Sequence, residues 1–225
     1  MINAKNITKR YTNGVVETKV LRGIDIDIQK GEFVAIMGKS GAGKSTLLYQ
    51  LGLLDQPTEG EILIDGIDVL ALNDREATDF RLNKLGYVFQ DYALVPELTA
   101  QENVMMPLLM LGMTTEDAKA QAAASLERIG MGHRLDNRPN QLSGGEQQRV
   151  SIARAVVQDP VILFADEPTA NLDSGSSDTV IDVFTDLHKQ GQTIVMVTHE
   201  KEYTRNCNRI VFLEDGLIVS QEVLK

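Results

Sequence analysis

The stretch "EFVAIMGKSGAGKSTLLYQLGLL", Glu32 to Leu54, decides the fold. Its centre, "GKSGAGKST", comprises Gly38, Lys39, Ser40, Gly41, Ala42, Gly43, Lys44, Ser45 and Thr46, and fits the phosphate-binding loop pattern with every required residue in place. Three glycines allow a turn tight enough to aim successive backbone N–H groups at phosphate oxygens, where a Cβ would obstruct. Lys44 is then able to reach the β- and γ-phosphates, and the Ser45 hydroxyl is suited to ligate Mg²⁺. "EFVAIM" reads as a buried strand and "STLLYQLGLL" as a helix whose N-terminal dipole favours an anion. A plain glycine-rich turn would need neither flank nor the Lys-Ser pair. The loop alone does not choose between kinases, GTPases and transport ATPases.

Composition narrows the partners. With 22 Lys+Arg against 32 Asp+Glu, the 225-residue chain carries a formal charge of −10, the wrong sign for holding nucleic acid or anionic lipid by long-range attraction. No nucleic-acid partner is expected. The apolar share, 43%, supports an ordinary globular core. The longest apolar run, "VMMPLLMLGM" at Val104 to Met113, is about half the length that crosses a bilayer and contains a proline. The N-terminus "MINAKNITKRY" lacks an apolar signal core and Cys207 is the single cysteine, so a cytoplasmic setting and an inert thiol are expected.

Periodicity organises the rest. "NAKNITKRY" and "KVLRGIDIDI" alternate as strands, and "GEILIDGIDV" reads strand, turn, strand. Helical patterns dominate from about Asp74 to Gln158, interrupted by the strand "GYVFQ". "VILFA" and "TIVMVT" are buried strands joined through the helix "SSDTVIDVFTDLHKQ", and "RIVFLEDGLIVSQ" is a terminal hairpin. The expected fold is α/β: a P-loop NTPase core with a mainly parallel sheet, an N-terminal antiparallel β region and an inserted α-helical subdomain. We read one domain, 1–225, with core and β region at about 1–90 and 159–225 and the helical subdomain at 91–158.

Ligands of open α/β sheets gather at the carboxyl ends of parallel strands. Three apolar strands here run into Gly38, Asp166 and His199. If they lie side by side, the loop, a carboxylate pair and a histidine converge on one nucleotide. Asp166 is placed to complement Ser45 at Mg²⁺, which leaves Glu167 to orient and deprotonate a water attacking the γ-phosphorus. His199 would hydrogen-bond the γ-phosphate, although a lone histidine after a strand is more often a surface residue. "LSGGEQQR", Leu142 to Arg149, opens a second helix with Ser143 as N-cap and two glycines. A single nucleotide scarcely needs a second anion-accepting helix start, unless that start serves the nucleotide of another copy. The methionines Met105, Met106, Met110 and Met113 read first as packing and second as an adaptable partner surface.

"GKSGAGKST", "LSGGEQQR", "ILFADEPT", "NLD" and "VTH", in this order across essentially the whole chain, resemble an ATP-binding cassette ATPase subunit. "LGYVFQDYALVPELTAQENV" and its neighbours are similar to the macrolide-exporter and lipoprotein-release branch, and to the cell-division ATPase of the same branch. By this resemblance Tyr11 stacks on adenine, Gln90 reaches Mg²⁺ and the attacking water, and Ser143, Gly144 and Gly145 cap the ATP of the opposite subunit. Asp173 lies in the loop running between the two sites. The resemblance implies ATP and Mg²⁺, held at Ser45, Gln90 and Asp166, and an ATP-dependent homodimer of two copies enclosing two ATP. It further implies integral membrane permease subunits as partners and a peripheral position on the cytoplasmic membrane face. Asn171 stands where a smaller residue is common, and Glu146 where Gln is frequent. The alternative reading is a cell-division-type regulator of wall hydrolases without transport. A soluble ATPase of DNA repair or translation fits less well, since the chain lacks a heptad insertion and is acidic.

Overall fold

The computed structural model describes residues 1–14 and 16–224, in two compact units. The first unit comprises residues 1–81 and 191–225, the second residues 82–190.

In the first unit, β1 (Ile2–Asn13) pairs antiparallel with β2 (Val16–Ile28) and with β4 (Glu59–Ile64), which turns into β5 (Ile67–Asp68). Alternation sets which face is buried: Ile24, Ile26 and Ile28 are covered while Asp25 and Asp27 are exposed. β3 (Phe33–Met37) pairs parallel with both β8 (Thr193–Val197) and β9 (Arg209–Glu214), and β9 folds back antiparallel on β10 (Leu217–Val223). β3 and β8 are buried along their whole length, as their unbroken apolar runs require of parallel strands covered on both faces. The β9–β10 turn uses Asp215 and Gly216, both at positive φ, the geometry that follows the twist of the two strands.

α1 (Lys44–Leu51) is shorter than the apolar pattern suggests. "STLLYQLGLL" reads as helical through Leu54, yet the helix ends at Gly52 and Leu53 takes a left-handed φ of 59°. The reason is tertiary, since Leu53 is buried and periodicity does not report the direction in which a buried chain must leave. α2 (Asp74–Lys84) buries none of its residues and leads from the first unit into the second.

In the second unit, β6 (Leu85–Val88) pairs parallel with β7 (Ile162–Asp166), and the Tyr87 ring stacks on Phe164 at 5.7 Å. α3 (Ala100–Met110), α4 (Thr115–Arg128), α5 (Gly144–Val156) and α6 (Ser174–Lys189) are each entered through a Thr, Ser or Asp cap, which accepts a backbone N–H of the first turn. The core of the helical part contains Val104, Leu108, Ala122, Leu126, Val150 and Ala153. α6 buries Ser177, Val180, Ile181, Phe184 and Leu187, one stripe at helical spacing. Met105 is buried, whereas Met110 is 66% exposed between Leu109 and Leu111, so the methionine run serves both packing and surface. Cys207, in the first unit, is buried, and burial pushes its thiol up to about 12. Its thiolate population at neutral pH is negligible, in keeping with the inert thiol expected.

Entry into α3 depends on Asn103, which is fully buried. Its side-chain oxygen accepts the Val95 N–H at 2.8 Å, and its amide donates to the carbonyls of Val95, Leu98 and Thr99. Asn103→Leu strands these backbone groups, and the expected loss is about 2–4 kcal/mol, measured as a lower midpoint in urea at unchanged slope.

Candidate nucleotide site

The phosphate-binding loop leaves the end of β3 and closes at the start of α1 in the first unit. Gly38 is held there by packing: a Cβ at that position would lie 2.2 Å from the Leu213 carbonyl oxygen. Gly43, the N-cap of α1, has φ 97°, and a Cβ there would press on Val20 and Leu21 at 3.1 Å. The loop therefore sits wedged between β2 and the β9–β10 hairpin, and the Gly216 N–H donates to the Ala42 carbonyl. A Cβ at Gly41 would meet nothing within 4 Å, so that position faces open space. The N-cap of α1, Gly43, has no side chain to cap the first turn. Lys44 is 6% exposed and its ammonium donates to the Lys39 carbonyl at 3.2 Å. The result is a backbone turn packed at Gly38 and Gly43, open at Gly41, with a buried lysine, chemistry that suits a polyphosphate. His199 follows β8, whose parallel register with β3 sets Thr198 N–H on the Ile36 carbonyl, so histidine and loop leave adjacent strand ends. The imidazole is exposed, with Nε2 4.0 Å from a Glu200 carboxylate oxygen.

Tyr11 belongs to a cluster that sequence reading did not find. Its hydroxyl donates to Asp55 at 2.9 Å, and the Lys9 ammonium lies 5.0 Å from the ring centroid while donating to the other Asp55 oxygen at 2.7 Å. Gln50 donates to Asp55 as well, at 3.0 Å. Burial works to raise the Asp55 pKa, but hydrogen bonds from Lys9, Tyr11, Gln50 and the Gln56 N–H outweigh it and hold the carboxyl below its usual 3.8. Burial and then Asp55 push the Tyr11 hydroxyl up. The ring is fixed at its hydroxyl and remains 46% exposed, an arrangement suited to stacking on a planar base. Nothing local in "GLLDQPT" identifies Asp55 as the partner of a residue 44 positions earlier.

In the second unit, β6 and β7 end side by side, which brings Gln90 and the Asp166-Glu167 pair to one edge. Asp166 is 6% exposed. Glu167 holds a left-handed φ of 43°, a strained conformation for a non-glycine residue and one common at functional positions. The two cap positions have intramolecular duties. Ser143 accepts the Glu146 N–H in a capping box, and Glu146 is within 3.0 Å of Arg134. Chiefly the hydrogen bond from the Ser143 N–H lowers the Glu146 pKa. Asp173 caps α6 through Ser176, and the Ser176 hydroxyl lowers its pKa. A Cβ at Gly144 would come within 2.9 Å of the Tyr92 hydroxyl, and one at Gly145 within 2.9 Å of Ser176. Packing thus demands glycine at 145, against the Ser176 Cβ, whereas at 144 the tips of Tyr92 and Leu172 would have to give way.

A family profile described as "ABC transporter" matches residues 21–170. The chain is 47% identical to the lipoprotein-releasing system ATP-binding protein LolD of Aquifex aeolicus, across 98% of this chain and 97% of that one. It is 47% identical to the macrolide export ATP-binding/permease protein MacB of Brucella melitensis across 98% of its own length, spanning 34% of that longer protein. Among solved structures, it resembles the dimeric post-hydrolysis state of the ATP-binding cassette MJ0796 bound to ADP and Pi. The TM-score is 0.93 at 42% identity, covering 100% of this chain and 99% of that one.

The Asp55 cluster makes a pH-dependent prediction. A carboxyl with a depressed folded-state pKa contributes stability above its unfolded value and loses it as pH falls through the folded one. The stability gap between wild type and Asp55→Asn is therefore expected to be full above about pH 4 and to close as the pH falls below that, read by urea titrations at stepped pH. A gap independent of pH contradicts this account.

Proposed function

Because the chain belongs to the ATP-binding cassette transporter family, we propose that it is the ATP-hydrolysing subunit of a transporter. In this reading it dimerises around two ATP and drives a conformational change in membrane permease partners. The observation that carries the proposal is the near full-length similarity to a protein named for lipoprotein release. Similarity to the ATPase portion of macrolide exporters adds to it, and together they favour lipoprotein, peptide or drug export over regulation of wall enzymes. Attachment to the membrane face would come through the permease. No helix among the described residues is long and apolar enough to cross a bilayer.

The wedged glycine loop, with its buried Lys44, fits the triphosphate, and Tyr11, anchored at its hydroxyl, fits the base. Mg²⁺ is a hard cation that prefers oxygen, and the Ser45 hydroxyl, the Gln90 amide oxygen and the Asp166 carboxylate would be the groups to hold it. When bound it would neutralise phosphate charge. Glu167 is then the group to take a proton from the attacking water. His199 would hydrogen-bond the γ-phosphate and hold that arrangement. Lys39, Ser40, Gly41, Ala42, Gly43 and Thr46 complete the loop. Ser143, Gly144, Gly145 and Asp173 would face the ATP of the second copy.

Hydrolysis and closure separate in two variants. Glu167→Gln is expected to bind ATP yet lose about a hundredfold or more in turnover, and to elute as an ATP-dependent dimer on size exclusion. Near-normal hydrolysis removes Glu167 from the role of base. Ser143→Arg should bind ATP as a monomer and fail to dimerise; an ATP-bound dimer of that variant contradicts the shared site. Purification of Glu167→Gln with ATP from native membranes should bring down a multi-span permease, and a partner that recruits wall hydrolases would favour regulation instead.

A further inference from the structure

The loop that follows β6 is held in a costly shape by side chains from elsewhere in its unit. Tyr92 and Ala93 are consecutive non-glycine residues in the left-handed region, at φ 60° and 51°. From α5, Gln148 donates to the Phe89 carbonyl at 3.3 Å, and Arg154 donates to the Ala93 and Tyr92 carbonyls at 2.6 and 3.0 Å. A further hold comes from a different segment. Asn171 donates from its side-chain amide to the Gln90 carbonyl at 3.1 Å and to the Asp91 carboxylate at 3.2 Å. Asn171 stands four residues beyond Glu167, in a chain of turns where the Ala170 N–H meets the Glu167 carbonyl and the Leu172 N–H meets that of Thr169. Packing does not explain the residue, for Asn171 is exposed, and an alanine there would keep the backbone and lose both hydrogen bonds.

We propose that Asn171 is a positioning residue for hydrolysis: its amide ties the Gln90–Asp91 peptide to the segment carrying Glu167. The peptide orientation fixes the direction in which the Gln90 side chain leaves the strained loop. A shift at either segment is thereby passed to the other, 81 residues away in sequence. The inference rests on the roles given above to Gln90 and Glu167, and the tether itself is testable without them.

Asn171→Ala is expected to leave the melting temperature and the KM for ATP unchanged. Turnover should fall by about three- to tenfold, the range set by losing one or two partly solvated hydrogen bonds, and amide hydrogen exchange over residues 89–94 should rise. Asn171→Asp faces two acceptors without a donor and should be slower than the alanine variant. Adding Asp91→Asn to it restores a donor across the gap, and turnover and protection should return toward wild type. Wild-type turnover and exchange in Asn171→Ala overturn the tether, and so does reduced turnover with unchanged exchange at 89–94. If Glu167→Gln kept its turnover while Asn171→Ala lost turnover and raised exchange, the base assignment would fail and the tether would stand.

Discussion

The parallel register of β3 with β8 and β9 decides what surrounds the phosphate-binding loop. Pairing Ile36 with both Val197 and Val211 brings the ends of all three strands together at Gly38. In open α/β sheets ligands bind outside the carboxyl ends of the parallel strands. The register also forces the loop backbone against Leu213, where only glycine fits at position 38. Rigidity of the loop thus follows from packing, before any nucleotide arrives.

The same economy recurs in the second unit. Residues of the "LSGGEQQR" segment have structural work to do in the single chain: Ser143 caps α5, and the two glycines make room for Tyr92 and Ser176. Structure and proposed function draw on one set of atoms, so a substitution at Gly144 or Gly145 tests both together. The Tyr92–Ala93 pair shows the other side of the arrangement, with strained backbone held by hydrogen bonds from the distant Arg154.

Much was legible in the sequence wherever a local rule governs. Buried strands β3, β7 and β8 announced themselves as apolar runs, and the Ser143 cap stands where a short polar side chain precedes helical periodicity. The helical reading past Leu51 failed because the pattern of buried residues continues while the backbone turns away. The departure noted at Asn171 was visible as an unusual residue, and its partners were not.

By itself the sequence determined the phosphate-binding loop with its strand and helix, the order of the motifs and the α/β class. These depend on residues within a turn or two of one another, where stereochemistry and periodicity act directly. Only the tertiary structure decided that Asp55 anchors Tyr11 and that Asn171 meets Gln90, across 44 and 81 residues of chain. Hydrogen bonds between distant segments leave no periodic trace. Each depends on where the folded chain delivers two distant segments, and a polar residue in isolation does not reveal which carbonyl or carboxylate it will face.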